Sequence, residues 1–220
     1  MKTYVQHICH INSQTISVDG KILYSQHDCN DIAEFLKASY RHFQFDYPKF
    51  FKMDTLCKLA FLTTELLVNE LEINKLSKEN IGIVLGNCSS SILSDLTHQK
   101  SIQKSSMYFP SPAVFVYTLP NIMMGEMCIR HGLSNENTLF VSDNFDSELL
   151  ERYTNYLINE HIIDHCICGW IDTYLDKFEA FFYFVTPQQT SALEIHNAIN
   201  INNLHDLNTN HHEDLSICIS

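Results

Sequence analysis

The chain is short of positive charge. Lys and Arg number 14 against 26 Asp and Glu, a formal net charge of −12 over 220 residues. A surface with that balance repels phosphate backbones and anionic headgroups, so nucleic acid and anionic membranes are excluded as general partners. Long apolar runs are missing too. No stretch approaches the roughly 20 residues of a membrane span. The N-terminal MKTYVQHICHINSQ has polar residues and histidines where a secretory leader needs an apolar core, which points to a cytoplasmic protein. Metal motifs are absent: the histidines form no HExxH pattern, and no metal or cofactor is expected. Of eight cysteines only Cys166 and Cys168 lie close together. A zinc site would need a second pair at ligand spacing, so the CxC reads as buried free thiol despite His161 and His165 nearby.

What is present is apolar. Hydrophobic residues make up 45% and charged residues 18%, enough for a globular fold with a real core. Lys2 to Ser17 alternates loosely and reads as a strand or hairpin edge. A short helix is expected over DIAEFLKASY, capped by Asp28 or Asn30. Thr55 to Leu71 is the strongest helical pattern, with leucines over a wide face. IGIVLG, from Ile81 to Gly86, is a continuous apolar run of strand length, as in a strand covered on both faces. A helix should start in the serines after Cys88. Phe145 to Asn159 is amphipathic and helical, Ile162 to Ile171 is a buried strand, and Lys177 to Thr186 is a final strand ending at Pro187. The order of elements predicts a layered α/β domain over residues 1–187, followed by a polar, Asn- and His-rich tail over 188–220.

The segment from Pro110 to Asn144, PSPAVFVYTLPNIMMGEMCIRHGLSNENTLFVSDN, organises the rest. Prolines punctuate its start. A helix begins at Asn121, Gly132 sits where a helix end favours a left-handed residue, and Thr138 to Val141 reads as a buried strand. PSPAVFVYTLPN, then Gly125-Glu126 and His131-Gly132-Leu133, then a strand, resembles the N-terminal half of the β-ketoacyl synthases of the thiolase fold. IGIVLGN upstream is similar to that family's strand leading to a Gly-rich turn. PKFFKMDTLCKLAF is similar to its Arg/Lys-Met segment before the first long helix. Leu157-Ile158, Asp164 and Gly169 fall at matching offsets downstream. The resemblance covers roughly residues 45 to 187. It implies a thiolase-like α/β/α half-domain with a mixed, mostly buried sheet.

The family's nucleophilic cysteine lies 23 residues after the helix-start asparagine. Counted from Asn121, that position is Asn144. Asparagine forms no thioester, and here it is expected to cap the next helix. The family's two histidines and half of its oxyanion hole come from a second half, which the resemblance does not reach. The resemblance therefore implies a subunit without catalytic residues, similar to the chain length factors that accompany an active ketosynthase in fatty acid, polyketide or aryl-polyene type biosynthesis. It implies a catalytic ketosynthase partner or a self-dimer, paired through the strand Thr138, Leu139, Phe140, Val141 and Ser142. Such a strand is an aggregation hazard unless something pairs with it. Met123, Met127 and Phe145 are candidates to line an acyl tunnel, with core packing as the plainer role. Two alternatives stand beside this reading. Cys88, in CSSS, could serve an acyltransferase as an unconventional nucleophile, although it follows the wrong strand. Alternatively, the chain could bind an acyl carrier protein, which is acidic, through Arg41, Lys49, Lys52 and Lys58. Ser142 lacks a GxSxG elbow and is a weaker nucleophile candidate.

Overall fold

The computed structural model describes residues 2–26, 31–71, 73–103, 110–175 and 177–187. The stretch 188–220, expected as a polar tail, lies outside the described residues. So do Asp28 and Asn30, proposed as helix caps.

Three short strands open the chain: β1 (Tyr4–Ile11), β2 (Thr15–Val18) and β3 (Lys21–Ser25). Then come α1 (Ile32–His42) and α2 (Thr55–Glu70), with a 3₁₀ turn at Pro48–Lys52 between them. β4 (Ile81–Asn87) is followed by α3 (Ile92–Ile102), the single turn α4 (Pro112–Phe115) and α5 (Ile122–His131). β5 (Asn137–Val141), α6 (Ser147–Asn159), β6 (His165–Tyr174) and β7 (Lys177–Thr186) complete the order.

The strands form one mixed sheet of seven in the order β3-β2-β1-β7-β6-β4-β5. β4 runs parallel to both β5 and β6, and the remaining pairings are antiparallel. All seven residues of β4 are buried, as the apolar run predicted for a strand between two helix layers. The N-terminal hairpin differs from expectation. β1 lies inside the sheet between β2 and β7, and the edge falls to β3, whose mixed sequence KILYS gives little alternation to read.

Side chains alternate between two cores. Ile167, Ile171, Ala180, Phe182 and Phe184 face α2. Cys166, Cys168, Trp170, Phe181, Tyr183 and Val185 face α6. α2 is buried on nearly every side, between the sheet and the helices α1 and α5. Each of its buried Leu and Phe side chains contributes roughly 1.5–3 kcal/mol. Thr63 and Thr64 tolerate that burial by donating their hydroxyls to the carbonyls of Leu59 and Ala60, at 2.8 and 2.7 Å.

Two glycines are required by backbone geometry. Gly132 closes α5 at φ +70°, with its N–H 2.8 Å from the Cys128 carbonyl, as the sequence predicted. Gly169 crosses β7 so closely that a Cβ would lie 2.0 Å from the Phe181 oxygen, and its φ of +153° suits only glycine.

Candidate functional site

The parallel strands β4, β5 and β6 end at the same side of the sheet, since Asn87 pairs with Val141 and Gly86 with Trp170. Loops at the carboxyl ends of parallel strands are where α/β sheets place their chemistry. Here those loops are Cys88–Ser91 after β4 and Ser142–Asp146 after β5.

A buried carboxylate shapes the first loop. Asp172, 7% exposed near the end of β6, accepts the Ser89 N–H and hydroxyl, each at 2.8 Å, and the Asn87 amide at 3.0 Å. The same Asn87 amide donates to the Ile171 carbonyl at 2.7 Å. Ser91 donates its hydroxyl to the Thr118 carbonyl at 2.8 Å, tying the loop to the turn after α4. The serines thus act as turn-formers and a helix start, and half-buried Cys88 heads this network.

The second loop corrects one expectation. Asn144 does not cap α6. Asp146 does, its Oδ1 accepting the Leu149 N–H at 2.9 Å. Asn144 is exposed and lies two residues ahead of the cap, its carbonyl accepting the Ser142 hydroxyl at 2.8 Å. The helix begins at Ser147, not Phe145, because Phe145 is drawn into the core against Trp170 and Phe181, with ring centroids 6.1 and 6.3 Å apart. The carboxylate of Asp146 won the cap over the amide of Asn144 because Phe145 between them fixes the entry of the chain. A thiol at position 144 would stand outside the first turn, where the helix dipole no longer reaches it.

The other site residues fall as follows. Met123 and Met127 are buried with Met124 in the larger core, so they pack the fold rather than line an open surface. Phe145 is likewise core. β5 is the terminal strand, and its outer side has no neighbour among the described residues. Leu139 packs toward one core and Phe140 toward the other, while Val141 is 58% exposed. Ser142 lies just past the strand, although its N–H extends the ladder to the Asn87 carbonyl at 3.0 Å. The basic cluster is not a free patch. Lys49 is 2.6 Å from the buried carboxylate of Glu126, whose hydrogen bond and charge raise the lysine pKa against the opposing effect of burial. Lys58 is half-buried near the Phe50 ring, and burial lowers its pKa. Arg41 and Lys52 are exposed.

Two features were not foreseen. Glu65, 6% exposed on α2, accepts Nε and Nη2 of Arg130 at 2.7 and 3.0 Å, with Nε2 of His131 3.2 Å away. In the sequence Glu65 is a lone carboxylate within a leucine-rich helix, with no local mark of its buried partner. The second is a cavity of about 330 Å³ between the start of α2, α3 and α4. No sequence signal marks it, because its walls come from four separate segments. The CxC pair sits on one strand face as predicted. The two Sγ atoms are 3.4 Å apart, and burial pushes the Cys166 thiol well up, which makes it inert.

No family model matches the sequence, and no curated protein matches it. Solved structures do. The ishigamide ketosynthase/chain length factor is 16% identical with a TM-score of 0.62, over 88% of this chain and 64% of that one. AntDE:AntF, a type II PKS acyl-carrier protein in complex with its ketosynthase bound to the hexaketide, gives 16% and 0.57 over 84% and 62%. The ketosynthase ApeO in complex with its chain length factor ApeC, from Xenorhabdus doucetiae, gives 12% and 0.54 over 87% and 81%. The chain therefore spans less than two thirds of the first two of these proteins. Its mixed sheet between helix layers is the fold that ketosynthases and chain length factors share.

Proposed function

We propose that this chain is a non-catalytic, chain-length-factor-like subunit that pairs with a catalytic ketosynthase, in the cytoplasm, for polyketide, aryl-polyene or fatty acid type biosynthesis. One observation carries the reading. The position offset for a nucleophile holds an exposed asparagine outside the helix cap, beside a terminal strand that offers its free edge. The first feature removes the chemistry and the second provides a pairing surface. Similarity to ketosynthase/chain length factor structures supports the same choice. An unpaired strand with Val141 exposed gains backbone hydrogen bonds and apolar burial from a partner strand.

Mass measurement of the purified chain tests this, alone and mixed with a ketosynthase from the same cell, after exposure to an acyl thioester. A heterodimer labelled only on the ketosynthase is the expected result. A homodimer acylated on one of its own cysteines would overturn the reading and make Cys88 the first residue to substitute. The pairing strand has its own test. Val141→Arg puts a charge on the free edge and should weaken association by about 100-fold or more, since an unmatched interfacial charge costs several kcal/mol. Unchanged association would move the interface away from β5.

A further inference from the structure

The cavity beside α2 does not share its walls with Asn144 or β5. Its volume of about 330 Å³ is at the lower end for small-molecule sites. Met53, Leu56 and Val114 give it an apolar wall. Lys52 and Lys58 supply two cations, and the hydroxyls of Ser90, Tyr117 and Thr173 also border it. Asp54 lies in the wall as well, but both of its oxygens are engaged. Oδ1 accepts the Cys57 N–H at 2.9 Å and Oδ2 accepts the Ser94 hydroxyl at 2.7 Å.

Thr173 is the informative residue. It is 3% exposed and borders the cavity. A hydroxyl on the wall of a cavity can offer a hydrogen bond to a polar group placed there. The first turn of α3 borders the same space, and its N-cap residue Ser91 makes no side-chain capping bond. Asp95 in that first turn offsets the helix end, so the two lysines are the source of positive charge at the cavity. In a chain of net charge −12, two lysines against the one carboxylate of Asp54 in the cavity wall are a local reversal of sign.

We propose that this cavity binds a small anionic amphiphile, its carboxylate or phosphate head held by Lys52 and Lys58, its chain against Met53, Leu56 and Val114, and the Thr173 hydroxyl supplying an inner polar contact. The site belongs to the single chain and is independent of pairing with a ketosynthase.

Calorimetric titration of the full chain with octanoate, hexyl phosphate, octanol and inorganic phosphate tests it. The expected result is that at least one of the two anionic amphiphiles binds about ten-fold more tightly than both octanol and inorganic phosphate. Which of the two binds better identifies the head group. Lys58→Gln should weaken that binding about ten-fold, and the isosteric Thr173→Val several-fold. Lys52→Gln, at an exposed position that leaves the fold intact, gives the same reading if Lys58→Gln fails to fold. Octanol binding as tightly as the better of the two anionic amphiphiles, binding of neither amphiphile, or full affinity in Lys52→Gln and Thr173→Val would overturn the proposal. A negative result here leaves the ketosynthase-pairing reading standing, because that reading is tested by mass and labelling.

Discussion

His131 should make the protein lose stability in mild acid, and Arg130 should add to the size of that effect. His131 ends α5, 9% exposed, with Nε2 3.2 Å from a carboxylate oxygen of Glu65. A carboxylate so close would ordinarily keep a histidine charged. Burial wins here, and the pKa falls from 6.5 to about 4. Arg130, which takes both oxygens of Glu65 in a bidentate pair, and Lys78 add to the effect of burial by offsetting the carboxylate. Between pH 6.5 and 4 the unfolded chain therefore binds a proton at His131 that the folded chain does not. Stability contributed by this residue is full near neutral pH and is lost as pH falls. Linkage gives a loss of about 2 kcal/mol between pH 7 and pH 5, and about 3 kcal/mol in the low-pH limit. Urea unfolding at a series of pH values, compared with His131→Gln, isolates that share. Arg130→Gln should weaken it by freeing Glu65 to pair with His131. The histidine pKa would then rise toward its unfolded value, and the loss in acid would shrink. A proton NMR titration of the imidazole reads the pKa directly. A wild-type stability no more acid-sensitive than that of His131→Gln, or an Arg130→Gln variant with an unmoved histidine pKa, would refute the reasoning.

Two further substitutions probe the site and the sheet. Asn144→Cys should create a thiol of ordinary reactivity, with a pKa of about 8.5 or higher, because it stands outside the first turn and near the Asp146 carboxylate. The pH dependence of iodoacetamide labelling measures this, and a value below about 7 would mean that the helix dipole does reach this position. Gly169→Ala should cost roughly 3 kcal/mol or more, because its Cβ would collide with the Phe181 carbonyl and its φ is strained for any other residue. Denaturant midpoints measure that cost, and a loss under about 1 kcal/mol would mean that β6 and β7 can separate locally.

The parts of the fold that were legible in the sequence are those with one dominant local cause. β4 announces itself by six apolar or small residues in a row, α2 by leucines at helical spacing, and the end of α5 by Gly132. β7 was placed at Lys177–Thr186, as observed, because a dense aromatic run stops at a proline. The start of α6 was misplaced by two residues because Asn144 and Asp146 are both competent caps. Only the burial of Phe145 against Trp170 selects between them, and that contact spans 25 positions. β3 was missed because an edge strand needs no alternation. The cluster of Glu65, Arg130 and His131 and the cavity beside α2 were invisible for a stronger reason. Their members are brought together by α2–α5 packing and by loops from different parts of the chain, and no local period records such encounters.

The same geometry changes how carrier-protein docking must be tested. Lys49 and Lys52 lie on one 3₁₀ turn and look equivalent in sequence, so reversing both charges would be the natural experiment. They are not equivalent. Lys49 is the counter-ion of Glu126, whose side chain is only 8% exposed on α5. Lys49→Glu would set a second carboxylate against a buried one, and should cost about 3 kcal/mol of stability by leaving that charge without a partner. Because α5 runs through Gly132 toward β5, a shift of that helix would also disturb the free edge, and binding of any partner could fall for reasons unrelated to docking. Arg41→Glu is free of this fault. Arg41 is exposed in the last turn of α1, where its substitution should cost under about 0.5 kcal/mol. A carrier that docks on this face should lose affinity with Arg41→Glu at an unchanged melting temperature, and the loss should shrink as salt is raised. If only Lys49→Glu weakens carrier binding, and its melting temperature falls with it, then the lysine serves the fold and the basic cluster is not a docking surface.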